Sequence, residues 1–494
     1  MRLRAFSAFV SVAIAIFGGP AHALLNSDSR NGTGSAILSV ETLTESSRGC
    51  KGVKVTPGRN VQQILDRRGA RRFCFAPGTY KLSRPLGLRS GQELVGMRGA
   101  VLSGSKDLTG FQADGSRWFV NGQTQQNPEV VGKCESGYDG CRFAEQVFMD
   151  NRPLWQVTSL DQLTSGTFFF DYGADRIYIA DDPSGRKVEA SVARGAVEAT
   201  SYSSGVKIRG FVVEKFSNEA GRGAIHVYAP GSLIKKNEVR LNHGAGIVSG
   251  SRVRLIGNHI HHNGNLGVAG SGSNIVVKRN NLSFNNTAGF NWWNWQGGGA
   301  KWTRTKELIV SENRSHHNIG PGLWTDTDNV DALFERNVVE DNHGPGIFHE
   351  TSYDAVIRRN IARRNGFGVK WDGSGGGIEL TSSSNVRIVR NKVIRNHHGI
   401  ALQQADRGSG DSGPFAIHDV YVHHNRIVMN QGHTGLVQFS GDTTYFTGRN
   451  NRFEYNTYIL GPDKQAYFVW MDQEVTKGEW RAFGQDTKGM FTGP

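Results

Sequence analysis

Four charged residues, Lys301, Asp326, Glu350 and Glu379, are the strongest candidates for chemistry in this chain. They fall twenty-odd residues apart, and tryptophans lie near them: Trp292, Trp293, Trp295, Trp324 and Trp371. Two carboxylates held side by side repel, and their pKa values separate unless a cation joins them. Such a pair can hydrolyse a glycosidic bond, with carboxyls about 5 to 5.5 Å apart in the retaining type. Asp326, Glu350 and Glu379 together could instead load Ca2+, which prefers oxygen ligands. The metal would neutralise a uronate, and Lys301 would take the C5 proton as base. Tryptophan offers flat faces on which sugar rings pack. All of this requires a fold that gathers residues so far apart in sequence.

An internal repeat supplies it. Asparagines recur in pairs five residues apart: 237/242, 258/263, 280/285, 313/318, 337/342, 360/365, 391/396, 425/430 and 451/456. A glycine and an apolar residue usually follow, as in Gly246-Ile247, Gly322-Leu323 and Gly346-Ile347. A short β-rich run precedes each pair, such as Val253–Ile256 or Val386–Val389. One unit holds about three short strands and three turns, with no room for a helix. It cannot bury its apolar face alone, but stacked coils can. Asparagine tolerates the left-handed turn and can bond its copy in the next coil. Glycine is expected to permit the next tight bend.

On these residues the chain resembles the pectate-lyase-like superfamily of right-handed parallel β-helix proteins, over roughly residues 50–110 and 200–460. The resemblance implies an all-β, right-handed parallel β-helix solenoid with a β-rich insertion near the N-terminus. Val61–Leu65 looks like its short capping helix, and Phe75–Tyr80 like its first strand and turn. Residues 111–195 break the period and are expected to form the β-rich excursion. The expected layout is a leader over 1–23, a cap and first coils over 24–110, the excursion over 111–195, the helix over 196–460, and a closing segment over 461–494. Superfamily members include uronate lyases, glycoside hydrolases, uronan epimerases and non-enzymatic adhesins, so fold alone leaves function open. Some alginate-lyase-like members pair Ca2+ with a Lys, which resembles the residue types here.

Strand side chains alternate between inside and outside. Gly299, Gly322, Gly346 and Gly377 each lie 14 or 15 residues before the next first asparagine. Taken as origins, they place Lys301 and Thr303, Trp324 and Asp326, Phe348 and Glu350, and Glu379 and Thr381 on the outside. Adjacent coils are about 4.8 Å apart. Asp326 and Glu350 should therefore be neighbours, with Lys301 one coil below and Glu379 one coil above; if the second insertion follows its strand, Gly368 becomes the origin and Asp372 replaces Glu379. His349 should face the core. Asp328, at the turn, is a ligand or a cap. Three long intervals insert Asn291–Gly299, Lys370–Gly375 and a stretch from Gln403 through Arg407. All three are expected on one side of the solenoid, walling the acidic strand with tryptophan.

The bulk properties fit an exported protein. Arg2 and Arg4, an apolar run from Phe6 to Phe17 and Ala21-His22-Ala23 read as an export signal. No segment approaches 18 apolar residues, so no membrane span is expected. Four cysteines imply disulfides, and proximity pairs Cys50 with Cys74 and Cys134 with Cys141. The formal charge is +13; loss of Arg2 and Arg4 leaves +11, a surface that would attract a polyanion. No helical basic motif points to nucleic acid. The chain is expected to be a monomeric periplasmic or extracellular enzyme that cleaves an acidic, uronate-containing polysaccharide by β-elimination, with Ca2+ as its only candidate cofactor. The alternatives are a glycoside hydrolase using Asp326 and Glu350, and a non-catalytic polysaccharide-binding protein. No Asp-Pro-His-Asp sequence is present to favour an epimerase.

Overall fold

In the computed structural model, residues 50–127, 130–369 and 374–493 are described. The expected leader, residues 24–49, and Lys370, Trp371 and Asp372 lie outside them. The β-branched runs form short strands that stack into three 13-stranded sheets. We name them S1, S2 and S3 in the order in which the chain visits them in each coil. In one coil, Leu233–Lys235 lies in S1, Glu238–Arg240 in S2 and Ala245–Ser249 in S3. Each strand pairs in parallel with the same strand one coil on. The fold is the expected right-handed parallel β-helix.

Alternation decides the core. Along S3, Ile225, Ile247, Val268, Ala300, Leu323, Ile347 and Ile378 stack in register and are buried. Each large aliphatic so buried contributes roughly 1.5–3 kcal/mol. Helix Val61–Leu65 caps the first coil, as expected. At the far end, helix Lys477–Ala482 closes the solenoid with Trp480 fully buried.

The paired asparagines form two ladders at the ends of the S2 strands. Asn313 Nδ2 donates to Val277 O (2.9 Å) and to Asn337 Oδ1 (3.0 Å), and its own Oδ1 accepts from Asn280. The first ladder runs from Asn237 to Asn425, continues on Asn456, and ends on Asp486. The last two pairs therefore do not hold as units: Asn456 belongs to the first ladder, and Asn430 is exposed. The glycine after each second asparagine is needed for a different reason than expected. At Gly267, Gly322 and Gly346 φ is not positive; a Cβ there would come within 2.8 Å of the next ladder amide.

The excursion starts earlier than expected, from Ser105–Leu108, and returns through Val188–Ser191. It builds one four-stranded and one five-stranded sheet with their own apolar core. A buried ion cluster ties it to the solenoid. Glu189 meets Lys215 and Lys81, each at 2.5 Å, and accepts from Ser105 Oγ. Burial alone would raise the Glu189 carboxyl, but the two lysines hold it down to about 2. Both expected disulfides form, Cys50–Cys74 and Cys134–Cys141.

A ladder asparagine satisfies three buried backbone or amide groups, whereas Asn430 satisfies none of the ladder. Asn337→Ala is therefore expected to cost about 2–4 kcal/mol, because it orphans buried partners. Asn430→Ala should stay within about 0.5 kcal/mol. Urea midpoints of the two variants check this.

Candidate active site on the S3 face

S3 bears the acidic row because its strands run to the end of each coil with two outward positions. Lys301, Trp324, Phe348 and Glu379 form one outward column, and Asp326, Glu350 and Thr381 the other. Asp326 and Glu350 are direct neighbours, as expected. The insertion before Gly376–Thr381 precedes its strand, so Glu379 stands in the row.

The neighbours have unlike surroundings. Asp326 Oδ2 receives Lys301 Nζ at 2.8 Å, and its Oδ1 accepts from Thr327 and Thr351 hydroxyls. Lys301 Nζ also lies 3.6 Å from the centroid of the Trp324 ring and donates to Trp295 O. Glu350 is buried; Trp324 Nε1 donates to its Oε2 (3.1 Å) and Arg407 meets its Oε1 (2.7 Å). Burial, reinforced by the Asp326 charge, raises the Glu350 carboxyl, and Arg407 opposes the rise.

Glu379 belongs to the other column, with Phe348 and Ala401 as neighbours. It is fully buried and accepts from Ser374 Oγ, Gly375 N, Gly376 N and Gln403 Nε2. Burial lifts its carboxyl to about 7 despite these donors. The three carboxylates consequently do not converge. Among the described residues no three His, Cys, Asp or Glu side chains could hold a metal ion. The donor set does not fit the expected Ca2+: Lys301, Arg407, hydroxyls and N–H groups already face these oxygens.

His349 faces the core as expected, bonded through Nδ1 to Thr325 Oγ1 at 2.8 Å. Burial pulls its pKa down to about 3. Asp328 Oδ1 accepts from Asp411 N and so ties the third insertion to this turn.

The insertions do not all emerge on one side. Residues 286–297 leave from the S2–S3 edge, as do the excursion and the described parts of the second insertion, 366–369 and 374–375. Residues 405–420 follow S3 and leave from its other edge toward S1. S3 is thus walled from both sides, which is why its outward charges are buried. Arg407 reaches Glu350 from the second wall. The sequence offered only the length of that insertion as a signal, and no role for Arg407 follows from it.

The tryptophan wall needs correction. Trp292 is 6% exposed and meets Trp293 edge to face. Trp324 is buried beneath Lys301 and stacks on Phe348 at 5.6 Å. Trp295 packs on Phe290, within a cluster that includes Cys134 and Cys141. Among the described members of the set, Trp293, 44% exposed, offers a broad face. The disulfide loop clamps the insertion: Asn291 N donates to Lys133 O, and Glu135 N to Gly289 O. Excursion, disulfide, tryptophan loop and Lys301 are therefore linked in sequence of contacts.

A family model described as "right handed beta helix region" matches residues 223–376. The structure titled XylC with xylose is similar at TM-score 0.61 and 12% identity, over 85% of this chain and 80% of that one. A glycoside hydrolase matches at TM-score 0.49 and 11% identity, over 71% and 89% of the two chains. The A-module of the Azotobacter vinelandii mannuronan C-5 epimerase matches at 0.40 and 12%, over 79% and 95%. No curated protein matches the sequence. At these identities the likeness establishes the fold. Among the described residues no helix is long and apolar enough to cross a membrane.

The Glu379 carboxyl is raised from 4.5 to about 7, so its protonated form favours folding. That contribution is whole below 4.5 and is lost as pH rises through about 7. The full loss is about 3 kcal/mol. Melting midpoints should fall across this window, and Glu379→Gln should flatten the fall.

Proposed function

We propose that this chain is an exported carbohydrate-active enzyme that hydrolyses an acidic polysaccharide on its S3 face. One observation carries the reading: Asp326 and Glu350 are register neighbours whose environments differ in the way an acid and a nucleophile differ. Strand spacing of about 4.8 Å lies close to the 5 to 5.5 Å of retaining glycosidases. The two disulfides support export, since such bonds persist in oxidising compartments.

In the proposed reaction Glu350 gives its proton to the glycosidic oxygen as the C1–O bond breaks. The Asp326 carboxylate attacks C1 from the opposite face and forms a glycosyl ester. Water then attacks C1 while Glu350 takes its proton, which releases the sugar and restores both residues. Lys301 positions Asp326 through their ion pair. Arg407, 43% exposed at its side chain, presents a cation beside the acid and suits a substrate carboxylate.

β-Elimination is the second reading, favoured by Lys301 beside the row. Its Nζ is already engaged by the Asp326 carboxylate, the Trp295 carbonyl and the Trp324 face, which counts against a free base at C5. Ca2+ enters neither reading, because its oxygens are taken.

Purified protein on a panel of uronate polymers should release reducing ends without ultraviolet absorbance, and chelation should leave the rate unchanged. An absorbing, unsaturated product would replace hydrolysis by elimination. Glu350→Gln and Asp326→Asn should each lower kcat roughly 100- to 10,000-fold; full activity in either would sink the pair. Arg407 holds the Glu350 carboxyl down. Arg407→Gln should therefore move the alkaline limb of kcat/KM to higher pH.

A further inference from the structure

The basic charge that distinguishes this chain does not lie in the walled S3 face. An unpaired part of it stands at the corner between S1 and S2, away from the carboxylate row. The turns after most S1 strands place one residue in the left-handed region, and so do the turns after most S2 strands. On consecutive coils these are Arg359 and Arg390 (φ 56° and 56°), and Arg364 and Arg395 (φ 55° and 50°). Between the two columns, Lys392 stands directly beside Arg426 in the parallel register.

The coil below is balanced. Arg358 pairs with Glu335, Arg363 with Glu340 and Arg364 with Asp341. The next coils are not. Arg387, Arg390, Lys392, Arg395 and Arg426 are exposed, and among the described residues none is joined to a carboxylate. Like charges directly opposite one another on adjacent strands are destabilising. A fold that carries such stacks at a stability cost is presenting them to something.

We infer that this corner is a docking surface for a linear polyanion, namely an acidic polysaccharide laid along the solenoid axis. Cations on adjacent coils, as at Lys392 and Arg426, stand about 4.8 Å apart along the axis. A uronan carries one carboxylate per sugar ring, and a pyranose ring is of similar length, so ring and coil can stay in step. Double-stranded DNA, with a charge about every 1.7 Å, is far denser than the ladder. The surface is independent of the hydrolytic centre: it uses other sheets and needs no turnover. It would hold a long polymer to the enzyme while another segment enters the S3 face.

The test uses the full chain and polygalacturonate, with a neutral glucan as control, by calorimetry at two salt concentrations. The variant carries Arg390→Gln, Lys392→Gln, Arg395→Gln and Arg426→Gln. Polygalacturonate should bind and the glucan should not. The variant should bind about tenfold or more weakly, with a shallower salt dependence, because fewer counterions are released. Its melting midpoint should be unchanged or higher, since the repelling stacks are gone. Arg407→Gln reports the S3 face separately. If the corner variant keeps full affinity and salt slope while Arg407→Gln loses binding, the corner inference fails and the S3 reading stands. If single-stranded DNA binds the corner more tightly than polygalacturonate, the partner is nucleic acid and the inference is overturned.

Discussion

From Asn237 onward, each coil of the asparagine ladder depends on the next one for its polar groups. A ladder asparagine gives its amide protons to a carbonyl one coil down and to an asparagine one coil up, and takes a backbone N–H in return. Buried away from water, each of these groups would cost about 1–3 kcal/mol if left alone. The arrangement forces an exact register, because a one-residue slip would turn the aliphatic stack outward. It also forces the glycine column, since the ladder amides occupy the space a Cβ would need.

That rigid register turns strand positions into a means of assembling distant residues. Asp326 and Glu350 meet because coils repeat, and Lys301 reaches Asp326 diagonally from the coil before. What makes the row more than a charged surface is its cover. The excursion and tryptophan loop come in from one edge of S3, and the Arg407 loop from the other. Low exposure raises the carboxyls of Glu350 and Glu379, and perturbed groups of this kind mark functional sites more often than chance. Tight packing has a second effect: most of the tryptophans support the walls and are not open to a sugar.

Charge is segregated on the same solenoid. Acidic and cationic groups are matched inside the S3 face and on the coil of Glu335 and Glu340, while the following coils carry cations alone at the S1–S2 corner. A net charge of +13 states how much positive charge there is, and the coil geometry states where it acts.

The architecture was legible in the periodicity of the chain. Asparagine pairs, glycines and β-branched runs repeat with the coil, and strand alternation then assigns Lys301, Asp326, Glu350 and Glu379 to the outside and His349 to the inside. Proximity in sequence was also enough for both disulfides, and the family resemblance for the capping helix at Val61. Tertiary structure alone decided what touches these side chains. Column membership separated Glu379 from Glu350, and Lys301 and Arg407 took the oxygens that a Ca2+ would need. The edge from which each insertion leaves depends on strand order within the coil, so Arg407 and the burial of Trp292 and Trp324 were out of reach. Periodicity encodes backbone register, which is local and repeated; loop paths and long side chains are set by contacts that occur once and leave no pattern to read.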